Sequence, residues 1–351
     1  MPVFRICGLA GLALAALSAA LLARALGLAM WLVALLWCEA VLAGWAVAVM
    51  EKLVRGREVL VYFHHQFAVL GLSWITLMAL GQPALPYLDV AAISLGVFLA
   101  CGRVGCFLAG CCHGRPHRWG IRYQCSHTEG RVADCLDEVR LLPVQLVESG
   151  WVVVSVLLAI LLRDRPGSSL SIYLGAYAAG RFWFEFLRGD AGRPYFARFS
   201  EAQWTSLATL ALLLALGGFG LLPMYWWQAA ALLSVAAVPR GDRLLFGAAH
   251  VQEIAQALAM ALDQTSAAGR LYIAETSLGL RISASTVHED DRAFDVFSFS
   301  REGRPMAGAT VRRLAALAAR LRRWDRPAEV AGGNRGVYCV LIPQTGGGHA
   351  V

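Results

Sequence analysis

Two arginines stand inside otherwise apolar stretches. Arg103 follows the apolar run 95–100, and Arg181 lies within 180–187. A guanidinium group binds phosphate through two parallel hydrogen bonds and stays charged when it is partly buried. The pair therefore predicts a site for the phosphate of a lipid headgroup. Two structural alternatives stay open: Arg103 could snorkel to the interface, and Arg181 could simply pair with Glu185 four residues later.

Glycines surround the first of these arginines. The segment 101–116 reads CGRVGCFLAGCCHGRP, with glycines at 102, 105, 110 and 114. A glycine either allows two backbones to approach closely or ends a helix and exposes N–H groups to an anion. Both outcomes favour phosphate binding near Arg103.

Two further polar clusters occur in apolar surroundings. Gln145 and Glu148 follow Pro143 at the start of a predicted helix, where we expect them to point into the helical bundle. His64, His65 and Gln66 form another cluster inside a predicted span. A membrane histidine can be a structural hydrogen-bonding group or can transfer protons. Together with the arginines, these clusters predict a shared polar cavity.

Cysteines are concentrated in the same region. Six of the nine lie between positions 101 and 135: Cys101, Cys106, Cys111, Cys112, Cys125 and Cys135. None of these pairs has CxxC spacing, so we expect no metal and no cofactor, and a helix-end cysteine such as Cys106 is often a small apolar filler. A thiol or metal site, or a disulfide, remains an alternative.

Composition shows what kind of molecule positions these residues. Of the 351 residues, 58% are hydrophobic and only 16% are charged, against about 25% charged in a soluble domain. A membrane helix needs roughly 20 apolar residues. The candidate spans are 6–23, 28–50, 59–80, 88–112, 143–162, 169–187 and 201–219, with an optional eighth at 220–238. We therefore expect an all-α polytopic membrane protein with seven or eight transmembrane helices.

The N-terminus and the charge narrow the function class. The first apolar run resembles a signal peptide, but a second run begins at Leu28, so we expect a retained helix. The formal net charge is +7, carried almost entirely by arginine, with Lys52 the one lysine. Basic residues are not interleaved with polar and aromatic ones outside the apolar part. Anionic lipid is therefore the expected partner, and nucleic acid is not.

The pattern changes after the last apolar run, which predicts a membrane domain over 1–240 and a soluble α+β domain over 241–351. We expect a helix at 244–263, then three strands within 270–286 and 293–300 with a turn at 277–279. A helix at 306–324 and a strand at 336–343 follow. The arginine-rich helix could lie on a membrane surface, but a solvated face over a small core is the simpler expectation. The partner of this domain is unknown.

At these residues the chain resembles the prolipoprotein diacylglyceryl transferase family, from about His64 to Ser206. The resemblance rests on these motifs: Phe63-His64, Asp89, Gly102-Arg103-x-Gly105-x-Phe107, Gly114-Arg115, Pro143-x-Gln145-Leu146-x-Glu148, Tyr177-x-x-x-Arg181, Glu185-Phe186-x-Arg188 and Gln203-x-x-Ser206. It implies a seven-span protein of the bacterial inner membrane. Such enzymes transfer the diacylglyceryl group of phosphatidylglycerol to the lipobox cysteine of a prolipoprotein and release glycerol phosphate.

The resemblance also implies roles for individual residues. Arg103 and Arg181 would hold the phosphate and stabilise the charge of the leaving group, and His64 would be the general base for the thiol. The residues expected to contact substrate or to organise the cavity are Arg103, Gly105, Cys106, Cys111, Gly114, Arg115, Gln145, Glu148, Arg181, Glu185 and Arg188. The family places this site on the outer side of the membrane. The positive-inside rule favours the cytoplasmic side, because most flanking arginines are at that end.

Four positions depart from the family pattern. Cys106 stands where the family usually has asparagine, and Cys111 stands where it has glutamate. His65 and Gln66 replace the glycines that follow the histidine. These departures leave two alternatives to the transferase: a non-catalytic lipid-sensing or assembly protein that signals through its C-terminal domain, and the thiol or metal protein described above.

Overall fold

The structure is a computed structural model. It describes residues 2–56, 61–124, 132, 136–190, 195–196, 199–237, 246–268, 271–289, 292–301, 306–324, 326, 328–332 and 336–344. Two compact units are distinguished within it. The bundle unit comprises Met1–Ala109, Val144–Phe186 and Arg193–Val238. The sheet unit comprises Gly110–Pro143, Leu187–Gly192 and Pro239–Val351. Each is described below by itself.

The bundle unit is built from helices that follow the predicted spans. They are α1 (Pro2–Ala25), α2 (Met30–Arg55), α3 (Tyr62–Ala79), α4 (Ala84–Leu108), α5 (Val144–Leu161), α6 (Ser168–Phe184), α7 (Glu201–Gly218) and α8 (Trp226–Leu233). Two-residue strands, β3 (Tyr195–Phe196) and β4 (Phe199–Ser200), pair just before α7. The optional eighth span is instead the eight-residue α8, about 12 Å long, followed by a 3₁₀ turn. It is too short to cross the roughly 30 Å hydrocarbon core of a bilayer.

Four described helices are long and apolar enough to cross a membrane by length and composition. The stretches that qualify are Val3–Ala25, Met30–Val54, Ala84–Leu108 and Val144–Leu161. Large apolar side chains are exposed along them, for example Leu42 and Trp45 on α2 and Leu157 on α5. Exposed apolar area of this extent is normal for helices that face lipid rather than water. The structure thus supports a multi-pass membrane protein.

Close packing of α1 against α4 depends on small residues. A Cβ atom placed on Gly105 would lie 2.9 Å from Cys7 Cβ, and one on Gly11 would lie 3.0 Å from Cys101 Cβ. Glycine at these positions lets the two backbones approach, as in many membrane helix pairs. Helix α4 therefore runs through Gly102 and Gly105 without a break and ends at Leu108.

The sheet unit contains two strand groups. In the connection between α4 and α5, β1 (Pro116–Arg122) pairs antiparallel with β2 (Arg140–Leu141). The second group is a five-stranded antiparallel sheet in the order β5-β6-β7-β9-β8, built from β5 (Ile273–Glu275), β6 (Leu280–Glu289), β7 (Arg292–Arg301), β8 (Glu329–Gly332) and β9 (Tyr338–Pro343). The helices α9 (Ala248–Ala268) and α10 (Gly308–Leu321) complete the unit.

The C-terminal part confirms most of its sequence prediction. Three strands occupy the expected stretch, and the turn falls at Ser277–Gly279, where Gly279 has φ +71°. Leu314 and Leu317 of α10 are buried with Phe297 and Val340 in one apolar core, so the helix covers the sheet as expected. Strand β8 was not predicted, because four residues on a sheet edge leave too short a pattern.

Candidate functional site

Both predicted arginines lie on the helices that the sequence assigned to them. Arg103 is on α4, five residues before its end, and Arg181 is in the last turn of α6. Glu148 is in the second turn of α5, on its buried face. Because α4, α5 and α6 pack against one another, the end of α4, the start of α5 and the end of α6 meet. The three charged side chains are therefore brought to the same end of the bundle.

One carboxylate oxygen lies between the two arginines. Arg103 Nη2 is 2.9 Å from Glu148 Oε1, and Arg181 Nε is 3.8 Å from the same oxygen. Arg181 Nη1 also lies 2.6 Å from Glu185 Oε2, one helical turn away. The side chains of Glu148 and Glu185 are each only 1% exposed, and that of Arg103 is 10% exposed. We call these four residues the arginine–glutamate cluster.

The charges of this cluster balance. Two guanidinium groups and two carboxylates are held together in a buried site, where the attraction between opposite charges is screened less than in water. Burying any one of them alone would be strongly unfavourable. The carboxylates therefore fix the arginines before a ligand arrives. A phosphate bound here would have to share the guanidinium N–H groups with Glu148 and Glu185, which already orient them.

Aromatic side chains fix the helix turn that precedes Arg181. The hydroxyls of Tyr62 and Tyr173 lie 2.8 Å apart. The ring of Tyr177 packs edge-on against Tyr62, with centroids 5.2 Å apart, and also lies 5.2 Å from Phe63. Tyr173 and Tyr177 are fully buried. These aromatic side chains connect the start of α3 to α6 one turn before Arg181.

The remaining bundle residues of the predicted site occupy simpler positions. Gln145 is buried one turn before Glu148, as expected for a residue that points into the bundle. Gly105 allows α4 to pack closely against α1. Cys106 follows it on α4 and is half-buried.

Four predicted site residues lie in the sheet unit instead. Cys111, Gly114 and Arg115 belong to the connection after α4, and Arg188 follows α6. Within this unit Gly114 forms a β-bridge with Arg188, and the Arg115 N–H donates to Leu187 O at 3.0 Å. Arg115 Nε donates to Arg188 O at 3.3 Å.

The Arg188 side chain is held by a carboxylate of its own. Its Nε and Nη2 donate to the two Asp190 carboxylate oxygens, each at 3.0 Å. Gly114 allows the two segments to approach, since a Cβ atom there would lie 2.8 Å from Leu142 Cβ. The two sequence motifs that contain Gly114 and Arg188 therefore lie side by side and are joined by a β-bridge.

The cysteines divide between the units. Cys101 and Cys106 are in the bundle unit, whereas Cys111 and Cys112 are in the sheet unit. Cys125 and Cys135 lie outside the described residues. The thiol or metal interpretation therefore stays a prediction.

A second charged group in the bundle unit was not predicted in full. His64, in the first turn of α3, lies between Glu51 near the end of α2 and Glu201 at the start of α7. Glu51 directly follows the predicted span 28–50, and Glu201 matches the acidic residue that helix N-termini often carry. Nothing in their spacing along the chain indicates that they meet at His64.

Comparisons with known proteins agree with the resemblance. A family model described as prolipoprotein diacylglyceryl transferase matches residues 65–218. This match includes the whole arginine–glutamate cluster and begins one residue after His64. No solved structure matches the chain.

Two curated relatives carry the same name. The chain is 32% identical over 134 residues to the phosphatidylglycerol–prolipoprotein diacylglyceryl transferase of Clostridium tetani, covering 36% of this chain and 51% of that protein. It is 29% identical over 147 residues to phosphatidylglycerol–prolipoprotein diacylglyceryl transferase 1 of Streptomyces coelicolor, covering 40% of each. The chain thus spans about half or less of these relatives. Over residues 65–218 the resemblance to the prolipoprotein diacylglyceryl transferase family is confirmed.

Proposed function

We propose that this protein transfers the diacylglyceryl group of phosphatidylglycerol to the thiol of a prolipoprotein lipobox cysteine. The observation that supports this most directly is the position of Arg103 and Arg181 on either side of Glu148 Oε1. The names of the relatives point to the same donor and acceptor. We further propose that α1 to α7 all span the inner membrane of a bacterium, although α3, α6 and α7 have only 17 or 18 residues.

The chemistry needs hydrogen-bond donors that stabilise the departing phosphate. The thiol loses its proton, and the sulfur attacks the glyceryl carbon that carries the phosphate. The carbon–oxygen bond breaks, its electron pair stays on the phosphate oxygen, and glycerol phosphate leaves. Arg103 and Arg181 would bind the phosphodiester and stabilise the charge that grows on it. His64 would act as the general base that removes the thiol proton, which is a typical role of imidazole.

The test uses the full chain in proteoliposomes. Phosphatidylglycerol labelled in its acyl chains and a lipobox peptide are supplied, and mass spectrometry follows the label onto the peptide. We expect transfer by the wild type and loss of at least 100-fold in Arg103→Ala, the scale of removing one oxyanion-stabilising donor. Arg24→Ala removes an exposed arginine at the end of α1 and serves as the matched control. Unlabelled peptide with wild-type protein would refute the proposal.

A second candidate function is lipid sensing, and one feature of the sheet unit favours it. Helix α10 is tied to the connection that carries Arg115, because Arg320 Nη1 donates to Pro116 O at 3.3 Å and Arg323 Nη2 donates to Asp137 O at 3.0 Å. A change at that connection could therefore reach the C-terminal region. This function predicts that the wild type binds phosphatidylglycerol in the same proteoliposomes without consuming it.

A further inference from the structure

The connection between α4 and α5 contains a bulged strand. Pro116 and Ile121 of β1 are both paired with Leu141 of β2, so residues 117–120 leave the ladder between them. Gly120 allows the chain to return to β2, because a Cβ atom there would lie 2.6 Å from Leu141 N. We call residues 117–120 the β1 bulge.

Three side chains of the β1 bulge pack together at its surface. Trp119 is 72% exposed. Arg118 Cζ lies 4.3 Å from the centroid of the Trp119 ring, and the His117 ring meets that ring edge-on, with centroids 5.5 Å apart. A large aromatic ring is thus displayed beside a cation. This combination is typical of residues that lie at the interface between a membrane and water.

The polar groups of the bulge suit an anion. A guanidinium group that stacks on an aromatic ring keeps its in-plane N–H groups for a phosphate. Within the part of the chain that the structure describes, no carboxylate pairs with Arg118. The Trp119 N–H donates to His117 Nδ1 at 3.3 Å, so a neutral His117 carries its proton on Nε2, where it can donate.

Positive charge is concentrated around the imidazole. Burial, Arg320 and Arg118, in that order, lower the pKa of His117. Arg320 is held beside the bulge, because its Nη1 donates to Pro116 O at 3.3 Å. Two arginines from different parts of the chain therefore stand next to one exposed tryptophan.

The chain ties this strand pair to the membrane. Helices α4 and α5 are two of the four helices that are long and apolar enough to cross a bilayer. Only Leu142 and Pro143 separate β2 from the apolar stretch that begins at Val144. The chain from Leu141 to Val144 spans at most about 11 Å. A headgroup layer is about 5–8 Å thick, so the strand pair starts within reach of lipid headgroups.

We propose that the β1 bulge is a second lipid-binding site, which inserts Trp119 into the headgroup layer and binds the phosphate of an anionic phospholipid through Arg118 and His117. The site uses no residue of the arginine–glutamate cluster and does not depend on the transferase function. Through the bond between Arg320 and Pro116, the bound lipid also holds α10 at the membrane surface. Anionic lipid is thereby a partner of the C-terminal region as well.

Paramagnetic broadening in a membrane tests the position of Trp119. The full-length protein is labelled with fluorotryptophan and placed in nanodiscs, and Trp119→Phe identifies the fluorine signal. In an equal mixture of phosphatidylcholine and phosphatidylglycerol, lipid that is spin-labelled on the upper acyl chain should broaden this signal. A water-soluble gadolinium chelate should not. Trp45, which is exposed on the apolar helix α2, is the positive control for lipid contact.

The lipid composition and two matched arginine variants test the charge. Nanodiscs of phosphatidylcholine alone should give weaker lipid broadening of Trp119. In the mixture, Arg118→Gln should lower the ratio of inserted to free bulge by about five-fold, the contribution of one arginine near an anionic surface. Arg312→Gln removes an exposed arginine of α10 and should leave this ratio unchanged.

Several results would overturn the proposal. Broadening of Trp119 by the chelate instead of the lipid label would place the residue in water. Shielding of Trp119 from both reagents would show that protein covers it, whether from this chain or from a second copy. Equal lipid broadening with and without phosphatidylglycerol would exclude an anionic lipid site. If inorganic phosphate added to phosphatidylcholine nanodiscs shifts the Trp119 signal as phosphatidylglycerol does, the site binds a soluble anion rather than a lipid.

Discussion

Arg103 Nη2 lies 2.9 Å from Glu148 Oε1, and this contact joins α4 to α5 inside an apolar bundle. Arg181 reaches the same carboxylate oxygen from α6 at 3.8 Å. Glu148 on α5 thus forms ion pairs with arginines of both α4 and α6. A buried ion pair adds little net stability over apolar residues, but removing one partner is costly because the other charge stays buried. The contact by itself is therefore weak evidence for stability, and its position agrees with the phosphate site that we propose.

Glu148→Gln should destabilise the bundle and remove lipid turnover together. Two guanidinium groups would share one remaining carboxylate, and breaking a buried pair costs about 3–5 kcal/mol. Thermal unfolding in detergent and label transfer in proteoliposomes measure the two effects. The double variant Arg103→Gln with Glu148→Gln restores the charge balance, so it should regain much of the stability but no turnover. A double variant as unstable as Glu148→Gln would contradict this explanation.

Gly180→Ala should separate α5 from α6 next to the cluster. An added methyl group would fall on the indole of Trp151, 2.8 Å from its Cε2. Trp151 Nε1 donates to Ala176 O at 2.8 Å, so the ring cannot move without losing that bond. Overpacking of this kind costs about 1–3 kcal/mol. We expect a lower Tm and a loss of turnover larger than the stability loss explains, because Arg181 is the next residue.

The matched control is Gly150→Ala, one residue before Trp151. A methyl group at Gly150 would meet no described atom within 4 Å. Alanine is the better helix former, so stability and turnover should not fall. Equal behaviour of the two variants would show that contact with Trp151 is unimportant.

Asp89→Ala should loosen the start of α6 without touching the cluster. Asp89 is buried in α4, and its carboxylate oxygens accept the N–H groups of Gly167 and Leu170, each at 2.8 Å. It therefore acts as a helix cap supplied by another helix, and its loss should cost about 2 kcal/mol. Asp89→Asn keeps an acceptor oxygen and should lose less. Unchanged Tm in Asp89→Ala would show that the cap is dispensable.

Acidification should weaken the sheet unit through His117. This residue lies in β1, and burial, Arg320 and Arg118, in that order, lower the pKa of its imidazole below the usual value of about 6.5. Because the unfolded chain then binds the proton first, the stability contributed by neutral His117 is present above that value and is lost as the pH falls below it.

Arg320→Gln removes one of the two cations and should raise the pKa of His117 toward its ordinary value. An NMR titration of the imidazole measures it, and Arg312→Gln, an exposed position on the same helix, should leave it unchanged. If the pKa of His117 is the same in Arg320→Gln and wild type, the docking of α10 on β1 is not present in solution.

Local patterns predicted the helices and the polar residues on them. Seven of the predicted spans correspond to α1 through α7 within five residues at either end. Arg103, Gln145, Glu148 and Arg181 are buried as expected. Hydropathy predicts the positions of the helices because the tendency of an apolar segment to leave water depends only on the residues of that segment. The optional eighth span contains only the eight-residue α8, which begins after Pro223.

Partners across the bundle could not be predicted in the same way. The sequence by itself determined that Arg103, Arg181, Glu148 and His64 lie on apolar helices, since composition and spacing along one segment suffice for that. Only the tertiary structure decided that Glu148 stands between the arginines and that Glu51 and Glu201 meet at His64. Residues 51, 64 and 201 come together through the packing of three helices, and that packing depends on side-chain shape along whole interfaces rather than on any local pattern.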